Sequence, residues 1–123
     1  MAEAQERVNQ FIDAFNRMDI DGAADMLAED VVYHNIPLEP IHGREAARAF
    51  LSGMSGITAF EWEVFNTAEN GNTVLNERED RFYAGKELAL AVRVMGVFKV
   101  VDDKIVEWRD YFDLAELQAQ QQG

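Results

Sequence analysis

The sequence predicts an α+β fold of three to four helices packed on a mostly antiparallel sheet, which would make a cone if the sheet is strongly curved. Three observations carry this expectation. The first third places apolar residues at helical spacing, the stretch from Ile57 onward divides into four strand-like segments at short turn signals, and an acidic cap opens a last short helix.

Val8, Phe11, Ile12, Phe15 and Met18 recur at i, i+3, i+4 and i+7, so they form one apolar stripe on a first helix. Asp19-Ile20-Asp21-Gly22 interrupts the pattern, and Asp21 is suited to cap a short second helix carrying Ala23, Ala24, Met26 and Leu27. Asp30 to Asn35 reads as a short strand that ends before Pro37 and Pro40. A third helix after Gly43 carries Ala46, Ala47, Phe50, Leu51 and Met54. The later strands are separated by Asn70-Gly71, Ala84-Gly85-Lys86 and Asp102-Asp103. Asn-Gly is the strongest of these signals, since a type I′ turn requires positive φ at both central residues. Turns this short join antiparallel neighbours. Asp113-Leu114-Ala115-Glu116 has the spacing of a capping box for a final helix with Leu117 on its apolar side, and the Gln-rich end is expected to fray.

A chain of 123 residues, 48% hydrophobic, is expected to fold as one domain spanning 1–123 with a core of its own. It contains no cysteine, which excludes a disulfide framework and a thiol nucleophile and fits a cytoplasmic setting. The first residues show no signal-peptide pattern, and no segment reaches the roughly 20 apolar residues that span a bilayer. With 23 acidic against 11 basic residues the net charge is −12. Such a surface repels phosphate backbones and anionic lipid, so neither nucleic acid nor membrane is expected as a partner. A neutral or cationic small molecule suits it better. His34 and His42 are the only histidines, without metal-ligand spacing to acidic residues; no phosphate-binding glycine loop is present. No metal or organic cofactor is expected.

The segment from Thr73 to Tyr83 carries charges on both faces of a strand. Val74, Asn76, Arg78, Asp80 and Phe82 alternate onto one side, and Leu75, Glu77, Glu79, Arg81 and Tyr83 onto the other. Taken alone, the run reads as a solvated strand whose charges discourage edge pairing. A second strand supplies the contrary reading. There Val106, Trp108, Asp110 and Phe112 share a face, so a carboxylate sits between two large aromatic residues. Inside the protein it requires a partner, because an unpaired buried charge costs several kcal/mol. Arg109 points to the opposite face, whereas Arg78 can reach it across a curved sheet. Tyr33 and Asn35 repeat the i, i+2 spacing on the early strand, where a core tyrosine and a turn asparagine are the plainer readings.

One guanidinium can hold a carboxylate on each flank. Two carboxylates sharing one cation in a dry site titrate together, so one can keep its proton while the other acts as a base. Opening an epoxide needs a proton for the leaving oxygen and a base to activate water. A phenol and a carboxamide are suited to hold that water.

The chain resembles the limonene-1,2-epoxide hydrolase family over nearly its whole length. The likeness rests on Tyr33 to Pro40 with Gly43-Arg44, on Glu77-Arg78-Glu79-Asp80, and on Gly96-Val97-Phe98 together with Trp108 to Leu114. The resemblance implies the cone shared with nuclear transport factor 2 and ketosteroid isomerase, and a homodimer. It also implies that Asp110 takes a proton from water positioned by Tyr33 and Asn35, that Asp80 protonates the epoxide oxygen, and that Arg78 bridges the two acids. The expected substrate is a small, mostly apolar epoxide, bound by Trp108, Phe112, Phe82, Val92, Val94 and Leu117, with Leu88 and Leu90 completing the wall. Ala89, Ala91, Met95 and Val97 remain on the other sheet face as an expected dimer interface. An isomerase or polyketide-cyclase chemistry on the same cone, with one carboxylate as base, is the alternative; a non-catalytic binder of hydrophobic ligands is another.

Overall fold

Four residues of the first apolar stripe, Val8, Phe11, Ile12 and Phe15, are buried on a single helix, α1 (Glu3–Asn16), which lies against the sheet. The computed structural model describes residues 3–122; Met1 and Ala2, where the leader pattern was sought, lie outside this range. Met18 leaves the stripe: it follows the helix with φ of 59° and is exposed, because the chain turns at Arg17-Met18. The second helix, α2 (Ile20–Asp25), is capped by Asp19 rather than Asp21, with the Asp19 carboxylate accepting from the Gly22 amide. It stops before Met26 and Leu27, and Leu27 instead begins β1 (Leu27–Asn35) by pairing with Ile105. After the two-residue β2 (Ile41–His42), α3 (Arg44–Ser52) ends at Gly53 and leaves Met54 outside the helix, packed on the core.

The four later segments are β3 (Ala59–Asn70), β4 (Thr73–Ala84), β5 (Glu87–Val101) and β6 (Lys104–Tyr111), followed by α4 (Leu114–Gln122). One mixed sheet runs in the order β2-β1-β6-β5-β4-β3, antiparallel throughout except for the parallel pair β1–β6. That parallel junction brings Tyr33 beside Trp108 and Asn35 beside Asp110, so the early strand and the last strand meet in register.

The turn chemistry is distributed differently from the expectation. Positive φ at both loop residues occurs at Asp102 (50°) and Asp103 (67°), between the paired Val101 and Lys104. This is the type I′ pattern. At the Asn70-Gly71 signal the loop residues are Gly71 and Asn72, and only Gly71 has positive φ. The two aspartates adopt the left-handed region that their short polar side chains tolerate.

Register shifts interrupt each long pairing and bend the sheet. One, on β5, makes Phe82 face Leu90 and Tyr83 face Leu88, leaving Ala89 as the extra residue. Another makes Val100 face Ile105 while Lys99 faces Glu107, so Val106 is extra and Ile105 takes the buried place. Each extra residue reverses the inward–outward alternation beyond it, a change that a pattern of period two cannot register. The core on the concave side is an aromatic cluster: Phe11 meets Trp108 edge-on at 4.9 Å, and Phe15 stacks on Trp62 at 4.4 Å.

Candidate active site

Strand alternation decides which charges go inside. On β4 the buried residues are Val74, Asn76, Arg78, Asp80 and Phe82, with the odd-numbered residues on the outer side. Arg78 is wholly buried, and Asp80 and Asp110 nearly so. Arg78 donates from Nε to Asp80 Oδ1 at 2.7 Å and from Nη2 to Asp80 Oδ2 at 3.1 Å. The same Nη2 donates to Asp110 Oδ2 at 2.7 Å, and Nη1 donates to Asn76 Oδ1 at 2.9 Å. Each of the three guanidinium nitrogens thus donates. Its plane also lies over the Trp62 ring, 5.4 Å from the centroid.

Asp110 receives a second bond from Trp108 Nε1 at 2.9 Å. Trp108 stacks on Tyr33 with centroids 3.9 Å apart and planes 12° apart, and the Tyr33 hydroxyl donates to Asn35 Oδ1 at 3.3 Å. The two charges on β4, the one on β6 and the two polar residues on β1 therefore converge.

Burial shifts the titration of the set. It pushes the Asp80 carboxyl up to about 6; Arg78 opposes the shift and the charge on Asp110 adds to it. Asp110 is also raised, again by burial, against Arg78 and the bond from Trp108. For Arg78 burial alone would lower the pKa, but Asp110 and Asp80 together outweigh it and hold the guanidinium charged. Burial, and after it the charge on Asp110, raises Tyr33 well above the ordinary phenol range, so its hydroxyl keeps its proton.

These groups open onto a cavity of about 620 Å³. Tyr33, Asn35, Asp80 and Asp110 face it among apolar walls that include Phe82, Leu90, Val92, Val94, Phe112 and Leu117. Arg78 does not line the cavity; it stands behind the two carboxylates. Two wall residues expected from the sequence are elsewhere. Trp108 is fully buried beneath Tyr33, where its indole supports Asp110 instead of touching the cavity. Leu88 is exposed on the outer side, because the bulge at Ala89 reverses its direction; Ala89 itself faces the cavity, so it leaves the expected interface set.

Three residues that sequence reasoning did not single out shape the site. Asn76 holds the third edge of Arg78, and its place on the inward face of β4 was legible from alternation, though its partner was not. Gly96, opposite Asn76 on β5, makes room for the guanidinium: a Cβ there would stand 2.3 Å from Arg78 Nη1 and 2.9 Å from Asn76 Oδ1. Trp62 lies under Arg78 and lines the cavity; the alternation Phe60-Glu61-Trp62-Glu63 marked it as inward. Among the described residues, no group of three or more His, Asp or Glu side chains is arranged as a metal site, and His34 is engaged with the Leu38 carbonyl at 2.9 Å.

Fold and site define a cone-shaped α+β enzyme with an Asp-Arg-Asp set under an apolar cavity. Residues 2–122 match the limonene-1,2-epoxide hydrolase catalytic domain, and the chain belongs to that family of epoxide hydrolases. It is 35% identical over 110 residues to epoxide hydrolase EphG of Mycobacterium tuberculosis, covering 89% of this chain and 73% of that protein. It is similar to the solved structure of an M. tuberculosis LEH-like epoxide hydrolase, at a TM-score of 0.85 and 32% identity over 98% of this chain and 90% of that one. The structure of a protein from Shewanella putrefaciens CN-32, described as a SnoaL-like polyketide cyclase, superposes with the same TM-score of 0.85 at 16% identity over 99% of this chain and 98% of that one. That last likeness shows the fold alone.

Proposed function

We propose that the protein hydrolyses a small, mostly apolar epoxide to a vicinal diol by a single attack of water, with no covalent intermediate. The observation that carries this reading is one buried arginine bonded to two carboxylates that both face an apolar cavity. Asp110, ionised, accepts a proton from the water as its oxygen bonds to an epoxide carbon. Asp80, protonated, gives its proton to the epoxide oxygen as the carbon–oxygen bond breaks. After one turnover Asp110 carries the proton and Asp80 the charge, and transfer between these coupled acids or with solvent restores the starting state. Tyr33 Oη accepts a hydrogen bond from the water's second O–H, whose proton stays on the product hydroxyl, and the Asn35 amide nitrogen donates to the water, since its Oδ1 is already taken by Tyr33. The water then retains one lone pair for attack.

Arg78 keeps both acids in place and stabilises whichever is ionised. An isomerase would have no use for a cation shared between two acids. The apolar walls fit a hydrocarbon-like body on the substrate, and the exposed Phe65, Met95 and Tyr111 suit pairing of two copies. Single turnover in ¹⁸O-water tests the pathway. The reading expects label in the first diol formed and none on the protein; label retained on Asp80 or Asp110 would overturn it in favour of an ester intermediate.

A further inference from the structure

One wall of the cavity is built unlike the others. Leu114, Leu117, Gln118 and Gln121 all come from α4. This helix lies where the sheet has run out of strands: β6 ends by pairing Tyr111 with Met95, so the earlier half of β5 has no neighbour on that side. An unpaired edge leaves backbone donors and acceptors without partners. At Ala91 a side chain supplies them. The Ala91 amide donates to Gln120 Oε1 at 2.8 Å, and Gln120 Nε2 donates to the Ala91 carbonyl at 2.7 Å. Among the described residues these are the hydrogen bonds that join α4 to the sheet; the bonds from Ala115, Glu116 and Leu117 to Asp113 belong to its own first turn. Gln120, within the Gln-rich stretch, therefore docks on β5.

We infer that Gln120 is a specificity-determining positioning residue: by pairing with Ala91 in place of a strand it sets how close α4 stands to the catalytic floor, and so the size of epoxide the cavity accepts. The inference rests on the epoxide-hydrolase reading for its substrate, while the docking itself does not. Gln120 does not line the cavity, so its removal acts through the wall and not through contact with substrate.

The test uses the full chain with Gln120→Leu and, in case that variant folds poorly, Gln120→Asn, which keeps the amide but shortens its reach by one methylene. Loss of two neutral hydrogen bonds is expected to speed amide exchange at Ala91 and along α4 by about tenfold or more, with β5 beyond Met95 unchanged. With 1,2-epoxybutane, KM should rise several-fold while kcat stays within about twofold, and preference should move toward the bulkier 2-(1-naphthyl)oxirane. Affinity for the neutral fluorophore N-phenyl-1-naphthylamine should rise in parallel, a reading that holds even if no epoxide were turned over. Unchanged exchange at Ala91 would overturn the docking role. A uniform loss of kcat on both epoxides, or an unaltered size preference and fluorophore affinity, would overturn the role in specificity.

Discussion

Arg78 and Arg81 stand three residues apart on one strand and face opposite ways. Arg81 bonds to Glu61 at 3.0 Å and Glu63 at 2.8 Å, and to Glu79, on the outer side where those carboxylates are open to water. Arg78 bonds to Asp80 and Asp110 at 2.7 Å each on the inner side, with side-chain exposures of 0%, 6% and 5%. The chemistry of the partners is the same, and the consequences have opposite sign. Hydrogen bonds from Arg81 hold Glu61 and Glu79 below the ordinary carboxylate value. Burial instead lifts Asp80 and Asp110 above it, because no guanidinium fully replaces the water that two buried carboxylates lose. The outer cluster keeps its carboxylates charged, and the inner one makes the proton easier to hold on Asp80 and Asp110.

The largest expected break in that comparison is in turnover. Asp80→Asn or Asp110→Asn should lower kcat on an epoxide panel by on the order of 10³-fold, while Glu79→Gln on the outer face leaves it within about twofold. Circular dichroism should show all three folded. Comparable rates for the inner and outer variants would remove the distinction.

Gly96→Ala comes next. The added methyl meets Arg78 Nη1 and Asn76 Oδ1 from the strand backbone, so the guanidinium must shift away from its carboxylates. A loss of about 1–3 kcal/mol in urea unfolding is expected from overpacking, with a fall in kcat larger than that seen for substitutions on the outer face.

The pH dependence sharpens the contrast. A carboxyl whose pKa is higher folded than unfolded binds its proton more tightly when folded. Its stabilising contribution is complete below the unfolded value and is lost as pH rises through the folded one. For Asp80 that window runs from 3.8 to about 6. Asp80→Asn, which mimics the protonated form, should therefore gain on the order of 1–3 kcal/mol relative to wild type between pH 4 and 7, followed by urea titration. Activity that needs Asp80 protonated should decline above about pH 6. Glu79 and Glu61 carry the reverse sign: their contribution is present above the unfolded value and is lost as pH falls through the lowered one.

The smallest effect belongs to the outer cluster itself. Glu79→Gln should change unfolding free energy by less than about 1 kcal/mol, and added salt should shrink the change further.

Much of this was legible in one dimension. Alternation placed Arg78 and Asp80 on one face and Arg81 on the other, and the isolation of Asp110 between Trp108 and Phe112 called for a cation. Strand faces pointed to Arg78 as that cation, the resemblance to the epoxide hydrolases then implied a separate role for each charge, and the four strand segments and their turns follow the expected order. The misplacements have one physical source. Leu88, Ala89 and Val106 each lie at or beside a bulge, and a bulge shifts the alternation by one residue without leaving a compositional mark at these positions. Trp108 was placed on the correct face but at the wrong depth: an indole next to a carboxylate reads equally well as wall or as support, and stacking on Tyr33 selects support.

By itself the sequence determined the elements, the inward face of β4 and the charge types that had to be paired, because those depend on local period and on the cost of burying charge. Only the tertiary structure decided that Nη2 of one arginine reaches both strands, that Asn76 and Gly96 complete its seat, and that Gln120 stands in for a missing strand beside Ala91. Apart from Asn76 and Arg78, which are neighbours on one face of β4, those contacts join residues far apart in the chain, and their distances follow from how bulges curve the sheet and where each strand ends.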